Sequence, residues 1–371
     1  MKTLIPLVIA ITTLIVNVAQ SQTPTTPFTT IEGANFKAKL DAATQQGRTR
    51  GSRCWVAYSF DVRPNVATDM DGTMNGNSIW VNGVSVGANH ETRNLGVFLL
   101  YDAATITRLE IYNLDRKREY SGYPVFWLGR ANNEESLNWL QNQVSMHPEE
   151  KLKERATMAI AMHDDKNVGA ILKGLTAKTQ PERVRKTALF WVGHNEAEQA
   201  FLADFVRNEQ ESLEVRKQAA FGLGLSKDRA VLPTLQSLYS QVTPRELKRQ
   251  ILFAASLNHN QDAAADFLIH VASNDPEREL KKQAMFWLGQ RAGERSLKFL
   301  GDVIEKNEGD TEVQKQAVFA ISQRQKDEAI PLLIRIAQTH PSLPVRKQAI
   351  FWLGQSGDER AVTFFKELFT K

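Results

Sequence analysis

The chain has 371 residues, with 24% charged, 42% apolar and a formal net charge of +4. Such a length accommodates two structural regions, and the composition excludes wholesale disorder. One cysteine, Cys54, excludes any intrachain disulfide.

Residues 1–21 read as a secretory signal. Lys2 supplies the positive start, Leu4 to Val18 is mostly apolar, and Ala19-Gln20-Ser21 offers small residues around a cut after Ser21. The apolar run is shorter than a bilayer-spanning helix, and Thr12, Thr13 and Asn17 interrupt it. The expectation is export to the periplasm or the extracellular space, with no transmembrane segment after cleavage. An uncleaved anchor is the alternative. Residues 22–32 are Thr/Pro-rich and read as a flexible leader.

Residues 33–118 read as a small β-rich or α+β domain. Phe36, Leu40 and Ala43 follow helical spacing, predicting a short amphipathic helix. Val56, Tyr58, Phe60 and Val62 then alternate as one face of a strand. Ile79-Trp80-Val81 and Val84-Ser85-Val86 flank Asn82-Gly83, a hairpin signal. Val97 to Tyr101 and Ile106 to Leu114 predict another strand pair. Cys54 beside Trp55 reads as buried.

From 119 to 371 the pattern is helical and repetitive. Phe126-Trp127-Leu128-Gly129 returns as Phe190-Trp191-Val192-Gly193, Phe221-Gly222-Leu223-Gly224, Phe286-Trp287-Leu288-Gly289 and Phe351-Trp352-Leu353-Gly354, with weaker copies at Met158, Phe253 and Phe319. These anchors lie 31 to 33 residues apart. A fixed period in this range marks a solenoid of stacked units. In the unit at 180–208, Pro181 opens a helix from Glu182 to Val192, Gly193 ends it, and a second helix begins at Glu196. The predicted fold is mainly α: an α-solenoid of about eight helical hairpins behind the small β-rich domain.

On a helical wheel with Val184 at the origin, the apolar face centres near about 40° and Lys186 falls at about 200°. Later units place Lys217, Arg249, Lys282, Lys315 and Lys347 in that slot. The expectation is either a basic ridge that meets an anionic partner along the inner, concave helices, or a solvated face whose cations meet nearby carboxylates such as Glu214, Glu246 and Glu312. The preceding slot, Arg185, Arg216, Lys248, Lys281, Gln314 and Arg346, borders the core and reads as structural. Trp127, Trp191, Trp287 and Trp352 read as core packing.

The phrases Val184-Arg185-Lys186-Thr187-Ala188, Val215-Arg216-Lys217-Gln218-Ala219 and Val345-Arg346-Lys347-Gln348-Ala349, each followed by Phe-x-x-Gly, resemble HEAT-like repeats of the phycobilisome-lyase type. Gly96 to Asp102 looks like the leading segment of uncharacterised secreted bacterial HEAT repeat proteins. The resemblance implies the fold; scaffolds, lyases and hydroxylases share it. In the related deoxyhypusine hydroxylases, His-Glu pairs bind two irons. Those pairs would fall here at Lys186-Thr187, Lys217-Gln218, Lys282-Gln283 and Lys347-Gln348, where ammonium, hydroxyl and amide groups replace every ligand.

The chain's one His-Glu pair, His90-Glu91, lies outside the repeats, and His163, His194 and His259 fall in different units, too far apart to share a metal. His163-Asp164-Asp165 reads as a polar turn. Asp69 to Asn77 resembles a calcium loop but lacks its closing Glu. No nucleophile elbow, zinc-protease motif or phosphate loop appears. The expectation is an exported, noncatalytic scaffold without a cofactor, binding a protein partner (acidic, if the ridge is the contact) and no nucleic acid. The alternatives are a lyase-type or chromophore-handling factor and a binder of anionic envelope polymer or lipid.

Overall fold

The computed structural model describes residues 28–51, 53–64, 79–81, 84–86, 93–116, 118–194, 198–226, 230–291, 293–305 and 310–370. The expected signal, most of the leader, the Asp69–Asn77 loop, Asn82-Gly83 and His90-Glu91 lie outside the described residues. The chain divides into two compact units, one ending at Ser136 and one beginning at Leu137.

Among the described residues, the first unit holds a five-stranded sheet and one helix packed on it. Its elements are β1 (Thr29–Thr30), α1 (Phe36–Arg50), β2 (Arg53–Ser59), β3 (Ile79–Val81), β4 (Val84–Val86), β5 (Leu95–Asp102), β6 (Thr105–Asn113) and β7 (Val125–Arg130). The strand order is β1-β7-β2-β5-β6, with β3 and β4 forming a separate antiparallel pair. β7 runs parallel to both β1 and β2, while β5 is antiparallel to β2 and β6. α1 starts at Asn35, whose side chain accepts from Ala38 N at 2.8 Å. It packs on β2, where Phe36 meets Tyr58 edge-on at 4.9 Å. The opposite sheet face gathers Trp55, Phe98, Tyr112 and Trp127, with Phe28 and Tyr120 packed against them. β2 is therefore covered on both sides, and Cys54 is buried in it.

Two expectations change here. Phe126-Trp127-Leu128-Gly129 is strand β7, not a helix, and residues 119–136 join the sheet unit. In the helical copies the phrase follows a Val-Arg-Lys-Gln-Ala type run of helix formers. At 126 it follows a turn through Ser121 and Gly122, both at positive φ, and then Pro124. Gly129 at φ 78° also sits where a right-handed helix cannot pass. The predicted leader, 22–32, is partly structured: Thr29 and Thr30 pair with β7, and Phe28 packs on Trp127 at 5.8 Å.

Among the described residues of the second unit, seven hairpins follow α2 (Asn133–Met146), which spans the division. They are α3 (Glu150–Ala161) with α4 (Val168–Gly174), α5 (Glu182–Val192) with α6 (Gln199–Arg207), α7 (Leu213–Leu225) with α8 (Val231–Gln241), and α9 (Arg245–Ser256) with α10 (Gln261–Asn274). Then follow α11 (Arg278–Gln290) with α12 (Glu294–Glu305), α13 (Thr311–Ser322) with α14 (Lys326–Thr339), and α15 (Leu343–Gln355) with α16 (Glu359–Thr370). The first helices stack on one another as one layer. Pro181 and Pro244 stand at the N-caps of α5 and α9, where a missing N–H costs nothing.

The repeated glycine has a second purpose. Gly193 ends α5 with φ −61°, an ordinary helical value, so no left-handed cap is needed there. A Cβ on Gly193 would lie 2.5 Å from Gly222 Cα, and one on Gly224 would lie 2.7 Å from Ala254 Cα. The fourth residue of each phrase thus touches the second residue of the next. Where that second residue is small, backbones close up and phenylalanines stack: Phe221 on Phe253 at 5.6 Å, Phe286 on Phe319 at 6.1 Å. Where it is Trp287 or Trp352, the preceding phrase offers Ser256 or Ser322, and the indole fills the wider gap against Phe253 at 4.9 Å or Phe319 at 5.1 Å. Trp191 is buried, but Trp287 and Trp352 are half-buried, so the tryptophans are seam residues more than core centres.

Candidate functional site

A first helix in this layer has neighbours on three sides: the preceding and following first helices, and second helices beneath. Lateral contacts fall at about 340° and 180° on the wheel, so the exposed arc centres near about 260°. Near that centre sit the Phe slot, the residue after each cation, and the Glu three before it. The cation slot lies toward one edge. Single-helix reasoning placed the cations opposite the core because it omitted the lateral neighbours.

Five of the six rungs are held by a Glu on their own helix. Lys217 meets Glu214 at 2.9 Å, Arg249 meets Glu246 at 3.4 Å, Lys282 meets Glu279 at 3.2 Å and Lys315 meets Glu312 at 2.9 Å. Lys186 reaches Glu182 at 3.9 Å. Lys347 is exposed, and Pro344 occupies the place of its Glu. The row therefore carries alternating charge rather than a bare positive stripe. Exposed pairs of this kind contribute about 0.3–0.5 kcal/mol each. The Lys217 ammonium donates to the Glu214 carboxylate and draws its pKa below the ordinary value.

Beside the rungs runs an aromatic row whose cover thins toward the C-terminal end. Phe190 and Phe221 are buried, Phe253, Phe286 and Phe319 are half-buried, and Phe351 is 53% exposed.

The Arg slot is structural, as the core border predicts. Arg185 Nε donates to Thr176 O at 2.7 Å and its Nη2 pairs with Glu211 at 2.6 Å, both residues being buried. Arg216 donates to Val206 O at 2.9 Å, Gln314 to Ile304 O at 3.2 Å and Arg346 to His340 O at 2.7 Å. Each donor caps a carbonyl at or near the end of the preceding second helix.

His163 is buried at the end of α3, its Nδ1 2.8 Å from Ala159 O. Burial pushes its imidazole down to about 4, against the opposing pull of that hydrogen bond. Below the ordinary histidine range near 6.5 the unfolded chain takes up a proton that the native site refuses. Stability is thus fully present above about pH 6.5 and is lost as pH falls toward 4. Urea titrations at pH 7 and pH 5 are expected to show a larger drop for the unmodified protein than for His163→Gln. Equal drops would contradict this account.

Among the described residues, no group of three or more His, Cys, Asp or Glu could hold a metal ion. Among them, too, no helix is long and apolar enough to cross a membrane.

The sequence model of the HEAT repeats family matches residues 297–371. A search of curated proteins finds no match. Among solved structures, human deoxyhypusine hydroxylase in complex with glycerol is 16% identical, with 63% of this chain covering 90% of that one at a TM-score of 0.31. The complex of CpcE and CpcF of phycocyanin lyase from Nostoc sp. PCC7120 is 17% identical, with 68% and 97% covered and a TM-score of 0.31. A Kap121p mutant is 14% identical, with 62% of this chain covering 30% of that one at a TM-score of 0.39. Residues 297–371 thus match HEAT repeats, and among the described residues the hairpins before them continue the same stacked α-solenoid.

Proposed function

We propose that this chain is an exported, noncatalytic scaffold that binds a protein partner along the solvent-facing arc of its first helices. The observation that carries the reading is the repetition of one surface chemistry on α9, α11 and α13, ending at the open Phe351 of α15. Paired cations run beside aromatic rings that are half-buried at Phe253, Phe286 and Phe319 and open at Phe351. Contiguous aromatic surface rimmed by polar groups is the composition of protein-binding patches. The export part of the proposal rests on the signal-like residues 1–21. The paired rungs weigh against the anionic polymer or lipid reading, since most of the positive charge is neutralised within the same helix. A visible absorbance band in purified protein would instead favour the chromophore-handling reading.

A photo-crosslinking benzoylphenylalanine in place of Arg249 on α9 or Lys347 on α15 tests the proposal, with Lys298 on α12 as control. The expected result is capture of the same protein from both face positions and not from Lys298. Equal capture from all three, or none from the face, would overturn it.

A further inference from the structure

Among the described residues, each first helix from α5 to α13 is covered on one side by the next in the layer, and α15 is not. The seam between α5 and α7 shows what such a cover consists of. Gly193 is buried against Gly222, whose Cα lies 2.5 Å from where a Cβ on Gly193 would stand. Phe190 is 1% exposed, with Phe221 stacked on it at 5.9 Å and 24°. The Glu214 carboxylate is held below its ordinary pKa first by Lys217 and further by Lys186 of α5. α7 thus meets α5 with a carboxylate and, seven and eight residues on, an aromatic ring and a glycine.

α15 carries the same receiving groups without that cover. Phe351, in the slot of Phe190, is 53% exposed. Gly354, in the slot of Gly193, is exposed, and nothing lies within 4 Å of a Cβ built on it. Lys347, in the slot of Lys186, is exposed and lacks both carboxylates: Pro344 replaces the one on its own helix, and among the described residues no further helix brings the other. Leu343 is 51% exposed, and Ile350 is half-buried. With Lys347, Phe351 and Gly354 they form one stripe along the helix. An apolar stripe of this kind is a seat for an amphipathic helix.

Charge selects the occupant. A second copy fits poorly, because α15 has no carboxylate and two α15 helices would gather Arg346 and Lys347 of both. Nor does the other end of the layer serve, since α3 has Lys151 in the slot that Glu214 fills in α7. We infer that the open side of α15 docks a helix of a partner protein. Its carboxylate meets Lys347, and its aromatic and small residues, seven and eight positions further on, meet Phe351 and Gly354. The inference rests on the scaffold reading and names the partner's docking element.

The test uses the full chain and a fluorescein-labelled peptide of the α7 sequence, Leu213–Leu225, which carries all three features. A hydrocarbon staple on its far side holds it helical, since so short a helix is marginal in water. Fluorescence anisotropy is expected to show saturable binding, about tenfold weaker for the Glu214→Lys peptide. Gly354→Leu in the protein is expected to lose about tenfold in affinity. Its melting temperature should hold or rise, because the added Cβ meets nothing in the chain. Lys347→Glu, a surface change, is expected to reverse the preference, binding the Glu214→Lys peptide about tenfold more tightly than the unmodified one. Absent saturable binding, unchanged affinity of Gly354→Leu, or no reversal with Lys347→Glu would each overturn the inference. So would self-association of the unmodified chain that Gly354→Leu abolishes, which would assign this side to a second copy. If crosslinking from Arg249 captures a partner while the peptide fails to bind, the scaffold reading survives and this inference falls. Charge-reversible peptide binding without crosslinked capture would leave the docking side standing and remove the scaffold reading.

Discussion

Replacing Arg185 with Met is expected to lower the unfolding free energy by about 3–5 kcal/mol. The side chains of Arg185 and Glu211 are 9% and 5% exposed, and their 2.6 Å contact is charge-assisted. Met fills comparable volume, so the loss is not mainly a cavity. It leaves the Glu211 carboxylate buried without its cation and strips Thr176 O of a donor. Two further variants separate these terms. Arg216→Met removes only the bond to Val206 O, with no buried acid behind it, and is expected to cost about 1–3 kcal/mol. The double variant R185M/E211L removes both charges and is expected to recover most of the R185M loss, because a buried pair replaced by apolar groups is often near neutral. Urea denaturation of the three variants decides the matter. An R185M loss below about 1 kcal/mol would mean that Glu211 reaches water in the native state.

The parts of this fold that sequence reveals are those set by local periodicity. The start and end of α5 at Glu182 and Val192, opened by Pro181, follow from apolar spacing and from where a proline is tolerated. The alternation at Val56 and Tyr58 and the apolar triplets around 79–86 likewise announce strands, though β2 ends at Ser59, short of the predicted Phe60 and Val62. What depends on long-range pairing is not legible. The phrase at 126 carries the same letters as the helical copies, and only its pairing with β1 and β2 makes it a strand. The site was half legible. The cation row could be read from its slot, and pairing with Glu214, Glu246 and Glu312 was one of the two readings the spacing offered; the built helices decide for it and add Glu279. The open side of α15 was not legible. Phe190 and Phe351 carry the same letter in the same slot, and only the stack shows that one is covered and the other is not.

Gly289→Ala and Gly354→Ala, the same slot two hairpins apart, are expected to move stability in opposite directions. Both exchanges favour the helix by up to about 1 kcal/mol, through propensity and a less flexible unfolded chain. At Gly289 a Cβ would lie 2.5 Å from Ala320 O and 2.7 Å from Ala320 Cα. That obstacle is backbone, so no rotamer change relieves it, and α11 and α13 must part where Phe286 and Phe319 stack. Overpacking of this kind costs about 1–3 kcal/mol, which exceeds the propensity gain and leaves a net loss of about 1–2 kcal/mol. Trimming Ala320 to Gly should not rescue it, since the side chain of Ala320 is not what stands in the way. At Gly354 nothing lies within 4 Å of the added Cβ, and the propensity term stands alone. It is reduced by the nearby helix end at Gln355 to a gain of about 0.5 kcal/mol. Thermal or urea melts of the two single variants suffice. A Gly289→Ala protein as stable as the parent would mean that the first-helix layer yields easily, and that its glycines are not what sets how closely the hairpins stack.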